Sequence, residues 1–426
     1  MPPYFHCLPL PHYDFSGSVP TPQHHTGGHQ MGRIVELGAQ PILDSRGEWT
    51  IEVLMRLSDG SEVKSSVPKG KSLGSHEAHY QESKAAIAHI HNTIAPHLKR
   101  RDPAHQEEID ACMRELDGTA DKSRLGANTI IGVSIACARA GAFLHNLPLW
   151  KHLRELADLS AADTEKHGMP RLFINMINGG LHAGNNLDFQ EYLVIPRTHD
   201  ILKAINTGTA LYHALREYLI QTKGKQAINV GDEGGFAPQC RDNLEPFLIL
   251  QNVLRPMRLG CAIDFGLDAA ASTFTYEYRK LLGLYHGLSR EFPLCYMEDP
   301  FGEEEFDEYA LLRESIGHYV LIAGDDLTVT NVARMQKARE NQSINAVVIK
   351  PNQVGTVSEA LEAVRCAREW GWAVVVSHRS GETNDDFIAD LAVGIGAEGI
   401  KLGAPVRGER VAKYNRLLEI ATSEYL

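Results

Sequence analysis

Residues 345–353 read N-A-V-V-I-K-P-N-Q, four small or β-branched apolar residues running straight into Lys350. A run that is apolar on both faces has no solvent side, so it predicts a strand inside a parallel sheet with the lysine at its mouth. The design recurs: C-A-I-D-F-G-L-D ends on Asp268, L-C-Y-M-E on Glu298, V-L-I-A-G-D on Asp325, A-V-V-V-S-H on His378 and G-I-K on Lys401. Successive charged termini lie 23 to 30 positions apart, the length of one strand plus one returning helix in a (β/α)8 barrel. Such barrels gather their strand ends at one face, where catalysis occurs. Polar loops alone put charges at strand ends, but like charges forced together without a ligand cost stability. Asp268, Glu298 and Asp325 offer only oxygen donors, and no cysteine or histidine pair accompanies them at zinc-ligand spacing. They point to a hard divalent cation, Mg²⁺ before Zn²⁺.

The chain of 426 residues has room for a barrel of about 250 residues and one further domain. Its 42 basic and 54 acidic side chains leave a net charge of −12, which argues against a nucleic-acid partner and for an anionic ligand held by a local site. Seven scattered cysteines form no C-x-x-C pair and read as free thiols in a reducing cytoplasm. No apolar run approaches the roughly 18 residues of a membrane span, so no membrane partner is expected. Residues 1–32 are rich in Pro, Gly and His with no Lys or Arg before Arg33, and are expected to be a disordered tail. A smaller α+β lid domain is expected over 33–160 and a modified (β/α)8 barrel over 161–426.

In the lid domain, Thr50 to Leu57, Asp59-Gly60 and Glu62 to Val67 predict a hairpin. V-P-K-G-K-S-L-G over 67–74 follows as a mobile loop, with glycines at 70 and 74. Of three helical stretches after it, Leu125 to His145 is apolar on most faces and should be buried, its A-C-A-R-A-G-A run serving close helix packing.

In the barrel, R-L-F-I-N-M-I-N and F-Q-E-Y-L-V-I-P are two strand candidates joined by a Gly-rich loop that carries His182, with Gln190 and Glu191 beside the second. I-N-V-G-D-E-G-G-F-A-P over 228–238 places Glu233 on backbone that a ligand can approach closely. T-V-S-E over 356–359 is a capping box, and Thr383 or Asn384 is expected to cap the helix containing Phe387, Ile388 and Leu391. Ser377 to Ser380 then lies in a loop at the catalytic face, where Arg379 suits phosphate. Lys350, beside cations and Lys401, has its neutral form favoured and can act as a base. A carboxylate substrate on metal would have its enolate stabilised, so the reaction class is proton abstraction next to a carboxylate.

The motifs D-S-R-G at 44, N-G-G-L-H-A-G at 178, Q-E at 190, G-D-E-G-G-F-A-P at 231, E-D-P at 298, K-P-N-Q-V-G-T at 350, S-H-R-S-G-E-T at 377 and K-L-G-A-P-V-R-G-E-R at 401 resemble the enolase family. The resemblance runs from about Arg33 to Ile420. It implies interconversion of 2-phosphoglycerate and phosphoenolpyruvate, with Asp268, Glu298 and Asp325 on the tighter of two Mg²⁺ ions. Lys350 would remove the C2 proton and Lys401 would neutralise the substrate carboxylate. Glu233, assisted by Glu191, would protonate the leaving hydroxyl. His182, Gln190, Ser377 and His378 would line the substrate, Arg379 and Ser380 would hold its phosphate, and Ser72 would join the second Mg²⁺. The family is usually a homodimer.

Enolases usually carry S-G-A-S-T-G where this chain has Lys69 to Gly74. The two added lysines are expected near the second metal and the phosphate, where they would repel Mg²⁺ or alter closure. Two other readings are an enzyme of the same superfamily acting on a different carboxylate, and an enolase-derived binding protein of low turnover. The Glu303 to Glu305 run reads as a solvated face, and His76, His79, His89 and His91 as surface positions on a helix.

Overall fold

A computed structural model describes residues 32–71, 74–160, 164, 168–260 and 262–423. The expected tail (1–31 of it) and Ser72 lie outside the described residues. Three antiparallel strands come first, β1 (Ile34–Leu43), β2 (Trp49–Leu57) and β3 (Glu62–Ser66), in that order across the sheet. β2 and β3 are the expected hairpin. β1 escapes a sequence reading because a register shift between Ile34 and Glu36, with Gly38 and Pro41, breaks its alternation. It lies on the sheet edge, where a proline is tolerated.

The helices of this part are α1 (Ser83–His89, continued through a π-helical stretch Ile90–Ile94 into Ala95–Leu98), α2 (Gln106–Asp117), α3 (Ala127–Leu144) and α4 (Leu149–Leu156). α3 is long and apolar enough to cross a membrane by length and composition, yet 83% of it is buried inside the protein. Its apolarity serves packing: a Cβ added at Gly132 would lie 2.7 Å from Val53 Cγ2 on β2. His76 and His79 precede α1 and are not helical.

Eight strands close the barrel in the order β10-β11-β4-β5-β6-β7-β8-β9. They are β4 (Arg171–Asn178), β5 (Glu191–Pro196), β6 (Ile263–Asp268), β7 (Leu294–Glu298), β8 (Leu321–Gly324), β9 (Ala346–Ile349), β10 (Ala373–Ser377) and β11 (Gly399–Lys401). Around them lie α5 (Ile201–Lys223), α6 (Glu245–Met257), α7 (Tyr278–Glu291), α8 (Phe306–Ile316), α9 (Val332–Glu340), α10 (Val357–Glu369), α11 (Phe387–Gly394) and α12 (Gly408–Ser423). The repeat of strand and returning helix holds from β6 onward, where each pairing is parallel. It fails at β5, which pairs antiparallel with both β4 and β6. The 179–190 link is a loop with a single 3-10 turn, too short for the crossover helix that a parallel neighbour needs. The barrel interior is filled by Phe173, Leu193, Ile195, Tyr296, Ala323, Ala346, Val348 and Val375, a packed plug beneath the rim.

Thr356 caps α10 as expected, accepting from Glu359 N at 3.1 Å while its hydroxyl donates to Glu359 Oε2 at 2.7 Å. The other cap falls elsewhere: Asp386 occupies the N-cap of α11 and Asp385 Oδ1 accepts from Phe387 N at 3.0 Å. Thr383 Oγ1 accepts instead from Asp385 N. Both alternatives named for the cap were therefore displaced by the aspartates that follow them.

Candidate active site

Register explains why the charges meet. Glu191 stands opposite Asp268 across the β5–β6 pair, Asp268 beside Glu298, and Ser377 beside Lys401. Because β5 runs backwards, its first residue, Glu191, reaches the rim where the parallel strands end. Asp325, Lys350 and His378 each follow their strand by one residue. One pocket is lined by His182, Gln190, Glu191, Glu233, Asp268, Asp325, Lys350, Ser377, His378, Arg379, Ser380 and Lys401. Glu298 does not line it, and is fully buried.

Lys401 Nζ lies between acids, 2.7 Å from Glu298 Oε2, 3.1 Å from Asp268 Oδ2 and 2.9 Å from Glu191 Oε2. The Glu191 contact is an ion pair without hydrogen-bond alignment, since that oxygen has no hydrogen-bond partner. Burial pulls Lys401 down, but Asp268, Glu191 and Glu298 outweigh it and raise it well above the ordinary lysine value. Lys350 Nζ donates to Asp325 Oδ2. Burial again favours the neutral amine, and Asp325 overrides it, so Lys350 is raised rather than lowered. The expectation of a neutral Lys350 fails here because its nearest group is a carboxylate, not a cation.

The acids are strained electrostatically. Burial and then Asp268 push Glu298 up to about 8, and its Oε1 has no hydrogen-bond partner. A buried carboxylate oxygen without a donor is what a cation ligand looks like when protein atoms alone are counted. The all-oxygen set therefore fits a hard divalent ion. A second acid group, Asp299, Asp325 and Asp326, brings one oxygen of each within 4.8 Å of the others. Burial and Asp325 push Asp299 up to about 7. Its two oxygens accept from the backbone N–H groups of Asp325 at 2.9 Å and Asp326 at 2.7 Å, fixing the Asp325 turn.

Across the pocket, Glu233 Oε1 is 3.2 Å from His182 Nδ1 and 3.5 Å from His378 Nε2, and Asn175 Nδ2 donates to its Oε2 at 2.8 Å. Burial raises Glu233, but His182 and His378 prevail and hold it well below the usual carboxylate range. Burial and the adjacent Glu233 drive Glu191 well above that range, against Lys401. The two neighbouring carboxyls are thus pushed in opposite directions, Glu191 up and Glu233 down. Burial and Arg410 push His378 well below the ordinary histidine value. Since Arg410 donates to His378 Nδ1 at 2.6 Å, the neutral ring carries its proton on Nε2, facing Glu233.

Three supporting residues were not foreseen. Glu77 grips Arg379 with both oxygens at 2.9 to 3.0 Å. Arg410 holds the carbonyls of Arg379 and Ser380 at 2.6 and 2.7 Å. Asp299 braces Asp325. Lys71 answers the expected repulsion differently: its Nζ donates to Leu181 O at 2.6 Å and Asp232 Oδ2 at 3.1 Å, so its charge is paired. Its backbone N–H donates to Ser380 Oγ at 2.8 Å. The Glu303 to Glu305 run is also not a free face. Ser75 donates to Glu303 Oε1 and His76 meets Glu304 Oε1, so the run joins the two parts of the chain. Asp299 stands within E-D-P, and Arg410 within the 401–410 motif, but nothing local marks either as a brace.

Residues 34–153 match the family model for the enolase N-terminal domain, and residues 166–424 that for the enolase C-terminal TIM barrel domain. The chain is 43% identical over 416 residues to an enolase of Methanopyrus kandleri, covering 92% of this chain and 96% of the relative. It is 41% identical to an enolase of Methanocaldococcus jannaschii, with 91% and 94% covered. It is 40% identical to enolase B of Dictyostelium discoideum, with 91% and 94% covered.

Proposed function

The chain belongs to the enolase family, and on that premise we propose how its own residues carry out the dehydration of 2-phosphoglycerate to phosphoenolpyruvate. Membership makes the protein a hydro-lyase with a phosphorylated carboxylate substrate. We assign Asp268, Glu298 and Asp325 to Mg²⁺, an assignment supported by their oxygen-only donor set and by the unpaired Glu298 Oε1. When bound, the cation supplies the positive charge that stabilises a substrate carboxylate as it becomes an enolate. A second Mg²⁺ with Ser72 as ligand belongs to the same proposal, on the family resemblance alone.

Lys350 is the base. Asp325 and Glu298, the carboxylates that keep Lys350 charged, would also be ligands of the cation. Burial, Arg379 and Lys401 all favour its neutral form, and the amine takes the C2 proton. Lys401 neutralises the substrate carboxylate. Glu233, assisted by Glu191, delivers the proton with which the C3 hydroxyl leaves. His182, Gln190, Ser377 and His378 orient the substrate, and Arg379 and Ser380 hold its phosphate. We extend the proposal to a cytoplasmic homodimer with domains at 33–160 and 161–426, checked by sedimentation and limited proteolysis.

The observation that carries this reading is Lys350 Nζ on Asp325, beside Lys401 between Asp268 and Glu298. Purified protein with 2-phosphoglycerate and Mg²⁺ is expected to form phosphoenolpyruvate, and to stop when the metal is chelated. No product above a Lys350→Ala control rejects the proposal.

A further inference from the structure

Outside the pocket, the described residues hold one more group of metal-type ligands: His145, just past the end of α3, with His152 and Glu155 on α4. One ligand atom of each lies within 4.8 Å of the other two. His152 and Glu155 are three residues apart and so share a helix face. His152 is 2% exposed, and neither of its ring nitrogens has a hydrogen-bond partner. A buried imidazole with no partner loses hydration without compensation. The backbone makes room for it nonetheless, since a Cβ at Gly141 on α3 would lie 2.6 Å from His152 Nε2. The rings of His145 and His152 meet edge to face, 5.2 Å between centroids. His145 is partly open to solvent and Glu155 likewise, so both side chains are free to turn toward the buried ring.

We propose that His145, His152 and Glu155 form a second cation site, for Zn²⁺ or a similar borderline transition metal, separate from the catalytic pocket. Two imidazoles and one carboxylate suit such an ion and not Mg²⁺, and three protein ligands leave a fourth position for water. The site clamps α3 to α4. α4 in turn lies directly on α11 of the barrel, where a Cβ at Gly394 would stand 2.5 Å from Trp150 O. A cation here steadies the contact between the two parts of the chain and takes no part in turnover.

The test uses the full-length protein with Mg²⁺ saturating the catalytic acids and His24, His25 and His29 replaced by alanine throughout, so that neither contributes to a difference. Co²⁺ serves as the probe, followed by equilibrium dialysis and by its visible absorption. The reference protein is expected to bind one more Co²⁺ per chain than His145→Ala/Glu155→Gln, with affinity at least about tenfold tighter. Its turnover should match that of the double variant, and Zn²⁺ should raise its Tm alone. Because both substituted residues are at the surface, folding is preserved; His152→Asn is a second probe, expected to lose the same Co²⁺. Equal Co²⁺ stoichiometry and affinity in the reference and double-variant proteins overturns the proposal.

Discussion

Arg379, the residue suited to a phosphate, already has a carboxylate on its guanidinium. Glu77 lies 302 positions away in sequence, and both side chains are almost wholly buried, at 5% and 2% exposure. Removing one partner of such a pair strands the other charge, at a cost of about 3 to 5 kcal/mol. Glu77→Ala is therefore expected to lower stability toward urea by that amount and to raise KM for 2-phosphoglycerate; a loss under about 1 kcal/mol would show that Arg379 does not depend on it. Glu304 illustrates a weaker case. Burial raises it, but hydrogen bonds from Arg334, His76 and Lys337 together outweigh burial and hold it at about 2. A depressed carboxylate contributes stability that is present above its unfolded value near 4.5 and lost as pH falls toward 2. Its side chain is 54% exposed, so the contribution is under about 1 kcal/mol. The urea midpoints of wild type and Glu304→Gln are expected to differ slightly at pH 6 and to converge below pH 4; a gap that widens on acidification contradicts this. Neither pairing was legible beforehand, because a side chain's partner depends on which distant segments the fold brings together.

Elements were more readable. Strands that end in a charge announce themselves when both faces are buried, as at β6, β7 and β9, because the whole run must then be apolar. β5 was legible as a strand but not as a reversed one. Its direction follows from a loop too short for a crossover, and that reversal is what brings Glu191 to the rim opposite Asp268. β1 was missed where a bulge and a proline hide its period. Caps divide in the same way. Thr356 and Glu359 satisfy each other locally, so the pattern sufficed. At α11 four candidate cap residues stand in succession, and Asp385 is drawn into place by Arg139, which donates to its oxygens at 2.7 and 2.9 Å. Thr356→Ala is expected to cost about 1 kcal/mol, read from a thermal or urea transition, with turnover unchanged. No loss would mean that packing of α10 alone holds its start.

At the scale of the molecule, the N-terminal domain makes direct polar contacts with the barrel. Lys71, Glu77 and the Ser75–His76 segment reach Ser380, Arg379 and the Glu303–Glu304 run. Asp110 accepts from Ser358 on α10 at 2.6 Å, and Lys122 donates to Glu359 at 2.8 Å. Of these, the contacts of Lys71 with Ser380 and of Glu77 with Arg379 hold the Arg379 loop directly. Most of the acids and amines proposed for the chemistry stand at strand ends, and Glu233 stands in a glycine-rich turn; those signals are local, whereas the groups that hold them leave no periodic trace in a sequence. The central claim is that this ring turns Lys350 into a base able to remove a carbon-bound proton, and that step can be isolated from the rest of the reaction. Wild-type protein and Lys350→Ala are incubated with 2-phosphoglycerate and Mg²⁺ in D₂O, and deuterium at C2 is followed by NMR. Deuterium entering C2 with the wild type and not with Lys350→Ala is the predicted result; equal exchange with both proteins would contradict it.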